Sequence, residues 1–302
     1  MRYLLIVIGA IALLAAGVVI YETATSDRTI SRLLFGAGTE PVPVADLPSD
    51  SRHFSFRAAA GSVVNIQFEQ AEIRVLRGVT ASIGVDLFVE GDAVGFGRVR
   101  ADATQDPSGN VHVAAYPVGS PLTAGSITIL ITLPDSTTLE AKGKAGRLTV
   151  DGVVGEVRFA TERCATAVRD LRGTVAGTDT SGTITLERLT GNGSFALAGS
   201  ALHAAMNDGN LRGFGEGEVQ IEEHFGMVNI QLRRGNIAAA LRQTTDTCRL
   251  LTQAGNIELR LPGALLPSLD ALPRAIGIPD SLPLPVAPPI VARAPQGAIS
   301  VR

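Results

Sequence analysis

The stretch Asp179-Thr180-Ser181-Gly182 is the part of this chain that most resembles a reactive centre. Asp-Thr-Ser-Gly is an aspartic-protease motif, and that chemistry needs two carboxylates sharing one site. Each Asp should follow an apolar strand, but Gly177 and Thr178 precede this one. Thr245-Asp246-Thr247-Cys248 lacks the Ser-Gly of a second copy. His53, His112, His203 and His224 have no His or Cys at metal-ligand spacing. Glu222-Glu223-His224 reads as a polar edge ending a strand. There is no Gly-x-Ser-x-Gly elbow for a nucleophile. Gly213-Phe214-Gly215-Glu216-Gly217 is glycine-rich, but no helix follows it to hold a phosphate. Aspartates 151, 170, 179, 208 and 246 do not recur at one phase, so stacked calcium cages are not expected. The sequence therefore predicts no catalytic, metal or cofactor residue.

Stepping nine residues at a time from Gly146 reaches 155, 164, 173, 182, 191, 200 and 209. Five of these seven positions are glycine. The phase then slips by one, and Gly217, Gly226 and Gly235 continue it. An alternating segment follows many of these glycines, as in Gly182-Thr-Ile-Thr-Leu and Gly255-Asn-Ile-Glu-Leu. Alternation sends Leu148, Val157, Ile184, Val219, Val228 and Ile257 to one face. It sends Thr149, Arg158, Thr185, Gln220, Asn229 and Glu258 to the other. One such strand cannot bury its apolar face alone, whereas stacking at about 4.8 Å does so and pairs the backbone. Fixed-period repetition points to an all-β, parallel β-helix-like solenoid, about nine residues per strand-turn unit. A β-sandwich is the competing architecture. Glycine is expected to supply the turns. Less regular strands are expected at Ser62–Phe68, Ser82–Val89, Asn110–Val113 and Ile127–Leu133.

The stretch from Ile131 to Phe159, ITLPDSTTLEAKGKAGRLTVDGVVGEVRF, resembles the core of the DUF4097 β-strand-repeat family, whose label is adhesin. Thr180-Ser-Gly-Thr-Ile and Leu189-Thr-Gly191 fit its alternation, as does Asp170-Leu-Arg-Gly173. The similarity covers roughly residues 60 to 261. It implies a β-repeat fold and carries no catalytic residues over. The longer, proline-rich C-terminal region departs from it.

Leu4 to Tyr21 carries no charge, and eighteen helical residues rise roughly 27 Å, close to the hydrocarbon thickness. Residues 1–22 are thus expected to form a single transmembrane anchor through Leu4, Ile6, Ile8, Leu13, Leu14, Val18, Ile20 and Tyr21. Arg2 places the N-terminus in the cytoplasm and the main domain in the periplasm or outside the cell. A cleaved signal peptide at Ala15-Ala16-Gly17 is the alternative. A juxtamembrane segment and proline-rich linker spans 23–51, and the solenoid domain 52–302.

Cys164 and Cys248 are 84 positions apart, about 20 Å along the stack, so no intrachain disulfide is expected. Nine of sixteen prolines lie between 262 and 295. Residues 262–290 read as an apolar insert in the last coil, which Gly297-Ala-Ile-Ser-Val resumes. It either caps the stack or docks a partner or the bilayer through Leu265, Leu266, Leu269, Leu272, Ile276, Leu282 and Leu284.

The formal charge of −3 gives no footprint for nucleic acid. With no Trp, and Tyr3 and Tyr21 at the membrane, few rings remain to stack on sugars. The leading expectation is a non-catalytic, membrane-tethered scaffold or accessory subunit. Its partners would be membrane lipid, through the helix, and a protein of the membrane or envelope. A surface adhesin and a carbohydrate-active enzyme on a β-helix are the alternatives.

Overall fold

A computed structural model describes residues 49–59, 61–91, 99–122, 125–262, 265, 269–272 and 290–302. The expected anchor (Leu4, Ile6, Ile8, Leu13, Leu14, Val18, Ile20, Tyr21) and most of the linker lie outside these residues. Among the described residues no helix is long and apolar enough to cross a membrane.

The chain opens with β1 (Ser49–Arg57), β2 (Val63–Glu69), β3 (Glu72–Arg77), β4 (Ser82–Gly91), β5 (Val99–Gln105), β6 (Val111–Pro117) and β7 (Gly125–Leu133). It continues as β8 (Thr137–Lys144), β9 (Arg147–Asp151), β10 (Val154–Glu162), β11 (Ala165–Arg169), β12 (Arg172–Thr180) and β13 (Thr183–Glu187). Two long strands follow, β14 (Thr190–Ala205) and β15 (Asp208–Phe225). Then come β16 (Val228–Arg234), β17 (Ile237–Gln243), β18 (Cys248–Ala254), β19 (Ile257–Arg260), β20 (Leu269–Leu272), β21 (Ile290–Arg293) and β22 (Ile299–Val301). The strand expectations hold, and β1 starts at Ser49, three residues before the expected domain boundary.

The pairings form two ladders. The front sheet runs β5, β6, β2, β8, β10, β12, the first half of β14, the first half of β15, β16, β18, β21 and β20. The back sheet runs β1, β4, β7, β3, β9, β11, β13, the second halves of β14 and β15, β17, β19 and β22. Among the described residues only β1–β4, β4–β7 and β5–β6 are antiparallel, and the other pairs are parallel. Each coil is thus one front and one back strand, a two-sided solenoid. Val157 pairs with Val175 and Val175 with Gly193, so the regular coil is eighteen residues long. The phase slip is the register shift between Ala198 and Ser200, where Gly199 is extra. The final coil is resumed as expected, with β22 on β19.

The inward set is buried: Leu148, Val157, Ile184, Val219, Val228 and Ile257 all belong to one core between the sheets. Phe159 on β10 and Phe195 on β14 lie with ring centroids 6.2 Å apart. Gly177, on the strand between them, leaves that room; a Cβ there would sit 2.1 Å from Phe159 Cζ.

The turn assignment needs correcting. The corner residues are mostly not glycine. Ala145, Arg163 and Ser181 lead out of the front sheet with φ of 51°, 53° and 59°. Asp170, Arg188, Met206 and Glu223 lead back into it with φ of 51° to 55°. The glycines stand where one backbone crosses directly over the next. Gly191 has φ 140°, and a Cβ there would lie 1.9 Å from the Gly173 carbonyl oxygen. No side chain fits such a gap, which is why the period is written in glycine.

One inner corner changes character along the stack. Val153, Leu171 and Leu189 fill it in three successive coils, then Asn207 and His224 take their place. Asn207 and His224 are each 1% exposed. Asn207 Oδ1 accepts the Leu189 N–H at 2.8 Å, and its carbonyl accepts the Phe225 N–H at 2.9 Å. His224 is paired in register with buried Leu241, and Thr244 is buried three residues further on. Among the described residues, Asn207 Nδ2, both ring nitrogens of His224 and Thr244 Oγ1 have no hydrogen-bond partner. Burial holds the His224 pKa below its ordinary value, outweighing the backbone of Met227 and Gly209 and the charge of Asp208.

Two outcomes are expected. Gly191→Ala should cost about 3 kcal/mol or more, through overlap and a strained φ, and lower the melting temperature by roughly 10 °C. Thr185→Ala, on the outer back face, should stay within about 0.5 kcal/mol. Equal melting curves for the two would refute the crossing argument. His224 must be neutral when folded but can be protonated when unfolded. Its contribution is complete above the unfolded pKa of about 6.5 and declines as pH falls below it, by at most about 1.4 kcal/mol per unit. Melting between pH 8 and 5 should show that decline, and His224→Leu, matching Leu189 and Leu241, should flatten it.

Candidate functional site

The candidate reactive groups prove to be separate. Asp179 is 2% exposed. Thr161 Oγ1 donates to its Oδ1 at 2.6 Å and the Gly182 N–H donates to its Oδ2 at 2.8 Å. Ser200 Oγ donates to its carbonyl at 2.8 Å. These bonds satisfy a buried carboxylate and tie successive coils together. Among the described residues no second carboxylate bonds within this site; Asp179 and Thr180 end β12, and Ser181-Gly182 make the turn that follows. His53 meets Asp86 at 2.6 Å, His112 meets Asp106 at 3.2 Å, and His203 meets Gln220 at 3.2 Å, at three separate places. His224, expected on a solvated edge, is instead buried in the corner described above. Among the described residues no three His, Cys, Asp or Glu groups converge.

The cysteines are free and buried. Cys164 Sγ accepts the Gly146 N–H at the entry to the back sheet, and Cys248 Sγ accepts the Val228 N–H in the front sheet. Burial raises both thiol pKa values, which leaves little thiolate to react.

Of the expected docking residues, Leu265 is 7% exposed and belongs to the core, so it covers the stack end instead of presenting a surface. Leu269 and Leu272 bound β20, which adds a strand beside β21. Leu266, Ile276, Leu282 and Leu284 lie outside the described residues.

The prominent concave surface is elsewhere, on the outer face of the front sheet. Parallel register sets equivalent residues in straight rows across the strands. One row runs Lys142, Ala160, Thr178, Ala196 and Phe214. It continues through Gln231, Leu251 and Arg293. Small residues make the floor low, and Phe214 stands out of it at 55% exposure. A groove of 680 Å³ surrounds Phe214, Gln231, Leu251 and Gln253. One of 420 Å³ runs from Phe214 over Ala196 and Ala176 to Ala160. Another of 690 Å³ reaches from Thr178 to Tyr116 and Gln67. They share residues, forming one shallow trough along the stack.

Sequence reasoning missed this trough. The signal was present in Gly213-Phe214-Gly215, where the usual alternation is inverted. Gly213 faces inward and makes room for Ile230, whose Cδ1 would lie 2.9 Å from an added Cβ, while Gly215 lies against the Leu197 carbonyl of the coil before. The large apolar residue faces solvent.

No family model matches the chain, and no curated protein matches it. Nine chains of solved structures align with it. One is a "putative lipid binding protein" from Parabacteroides distasonis, 14% identical, with TM-score 0.40 over 84% of this chain and 96% of that one. Another is a "putative adhesin" from the same organism, 9% identical, with TM-score 0.35 over 85% and 98%. A third is a "putative cell adhesion protein" from Clostridium sporogenes, 9% identical, with TM-score 0.25 over 84% and 98%.

Proposed function

We propose that this chain is a non-catalytic binding module, tethered to a membrane by residues 1–22 and presenting its solenoid to an envelope component outside the cytoplasm. The observation that carries the reading is the trough: an open concave face along a rigid stack, with an exposed Phe214 on its floor. Concave, mostly apolar surfaces with a few polar groups are where binding concentrates. The candidate reactive groups support it by being buried, singly paired or apart. An accessory subunit engages a partner of its own envelope; an adhesin engages something beyond it.

The test is fractionation of native membranes. The chain should stay with washed membranes; recovery in the soluble fraction would refute the tether. After mild detergent and a density gradient, it should comigrate with a larger assembly at fixed stoichiometry. Phe214→Glu, an exposed change that spares folding, should release it. Comigration unaffected by Phe214→Glu would remove the trough from the reading. Sedimentation of the unmodified chain as a small detergent-bound species would favour the adhesin.

A further inference from the structure

Charge is not spread evenly over the front face. In its C-terminal half, β16, β18 and β21 carry Arg233, Arg234, Arg249 and Arg293 and no acid. The first half of β15 adds Arg212 with Asp208 and Glu216, and β20 adds Asp270. Five arginines thus face three carboxylates, in a chain of formal charge −3. Arg233 is paired with Glu216 at 3.3 Å and Arg293 with Asp270 at 2.5 Å. Among the described residues neither Arg212 nor Arg249 has an ion-pair partner.

Register places these two groups with purpose. Arg212 pairs with Asn229, and Asn229 with Arg249, so the two guanidinium groups lie in one row with an amide between. Two strand spacings separate them, about 10 Å. The adjacent row, in the same strands, is Phe214, Gln231 and Leu251. Phe214, Gln231 and Leu251 line the groove of 680 Å³, so apolar and amide groups alternate there, and the cationic row flanks it.

We infer that this half of the trough takes a carboxylated polysaccharide laid along the stack. The inference rests on the binding-module reading and names the class of ligand. Backbone groups within the sheet are already paired, so a ligand on this face meets side chains only. Those side chains are amides, hydroxyls, guanidinium groups and Leu251 around one aromatic ring, with the carboxylates of Glu216 and Asp270 held by Arg233 and Arg293. Amides and hydroxyls match sugar hydroxyls, the C–H face of a sugar ring packs on Phe214, and guanidinium forks hold carboxylates. The strand spacing is close to the rise of one sugar ring in an extended chain. Carboxylates on alternate rings then fall opposite Arg212 and Arg249. The groove is open along its length, which suits a polymer better than an enclosed small molecule or lipid tail.

The test titrates the full chain in mild detergent with polygalacturonate, with dextran as the neutral polymer and duplex DNA as a polyanion without carboxylates. Saturable binding to polygalacturonate alone, weakening with salt, is expected. Arg212→Gln and Arg249→Gln should each weaken it about tenfold. Phe214→Ala should weaken it without changing the salt dependence. Arg147→Gln, on the outer back face, should leave it unchanged. Absence of polygalacturonate binding, equal binding of dextran or DNA, or an equal loss in Arg147→Gln would overturn the inference. The Phe214→Glu gradient result is read separately, so the binding-module reading can stand when the ligand class falls.

Discussion

Everything in this fold depends on one close approach, of backbone over backbone, repeated coil after coil. At Gly155, Gly173, Gly191, Gly209 and Gly226 the chain crosses itself with no side chain between. A second column, Gly217, Gly235, Gly255 and Gly297, does the same at the entry to the back sheet. A Cβ at most of these sites would lie about two ångströms from a carbonyl oxygen of the coil before. The contact fixes where each coil sits on the last, and the parallel register of both sheets follows. Once register is fixed, a residue eighteen positions on faces the same way. The core is then a set of columns, and so is the surface.

Columns outside behave differently from columns inside. Glu140 and Arg158 pair at 3.1 Å and Asp170 and Arg188 at 2.7 Å, each eighteen apart. Exposed pairs of this kind contribute little singly. Their value is that the rows are straight, so a face can carry one property over many strands. Departures from eighteen are informative for the same reason. The coil after Gly199 is seventeen residues, since Leu211 pairs with Val228. The next is twenty, since Asn229 pairs with Arg249. The polar corner at Asn207 and His224 and the arginine-rich groove both lie where the repeat is least regular.

Much of this was legible in the sequence. The glycine period gave the length of each strand-turn unit, and alternation gave inward residues such as Ile184 and Val219, because both are local consequences of strand geometry. The purpose of the glycines was misread, since a crossing contact is made between residues eighteen apart. The corners at Arg163 and Arg188 were equally hidden, because a left-handed φ in a long charged residue leaves no mark on composition. His224 looked like a solvated edge after two glutamates, and only the stack shows it facing inward. The trough was invisible for a stronger reason. Its rows join residues from five or more coils, and no window along the chain contains Arg212, Arg249 and Phe214 as neighbours on one surface.

The ends of the stack explain why the face is left to act. A parallel stack exposes an unpaired edge at each end, which invites further strands. At the N-terminal end the chain turns antiparallel, and β5 and β1 close the front and back sheets. Both carry charge along the edge, in Arg100 and Asp102 and in Asp50 and Arg52. At the other end β20 is laid on β21 and fastened by Asp270 to Arg293, while Leu265 covers the core beneath. The back sheet finishes in the three residues of β22, a short edge. Guarded edges and a packed interior leave the outer faces to engage anything else. Of the two faces, the front one has the trough, with Phe214 and the arginine-rich strands along it.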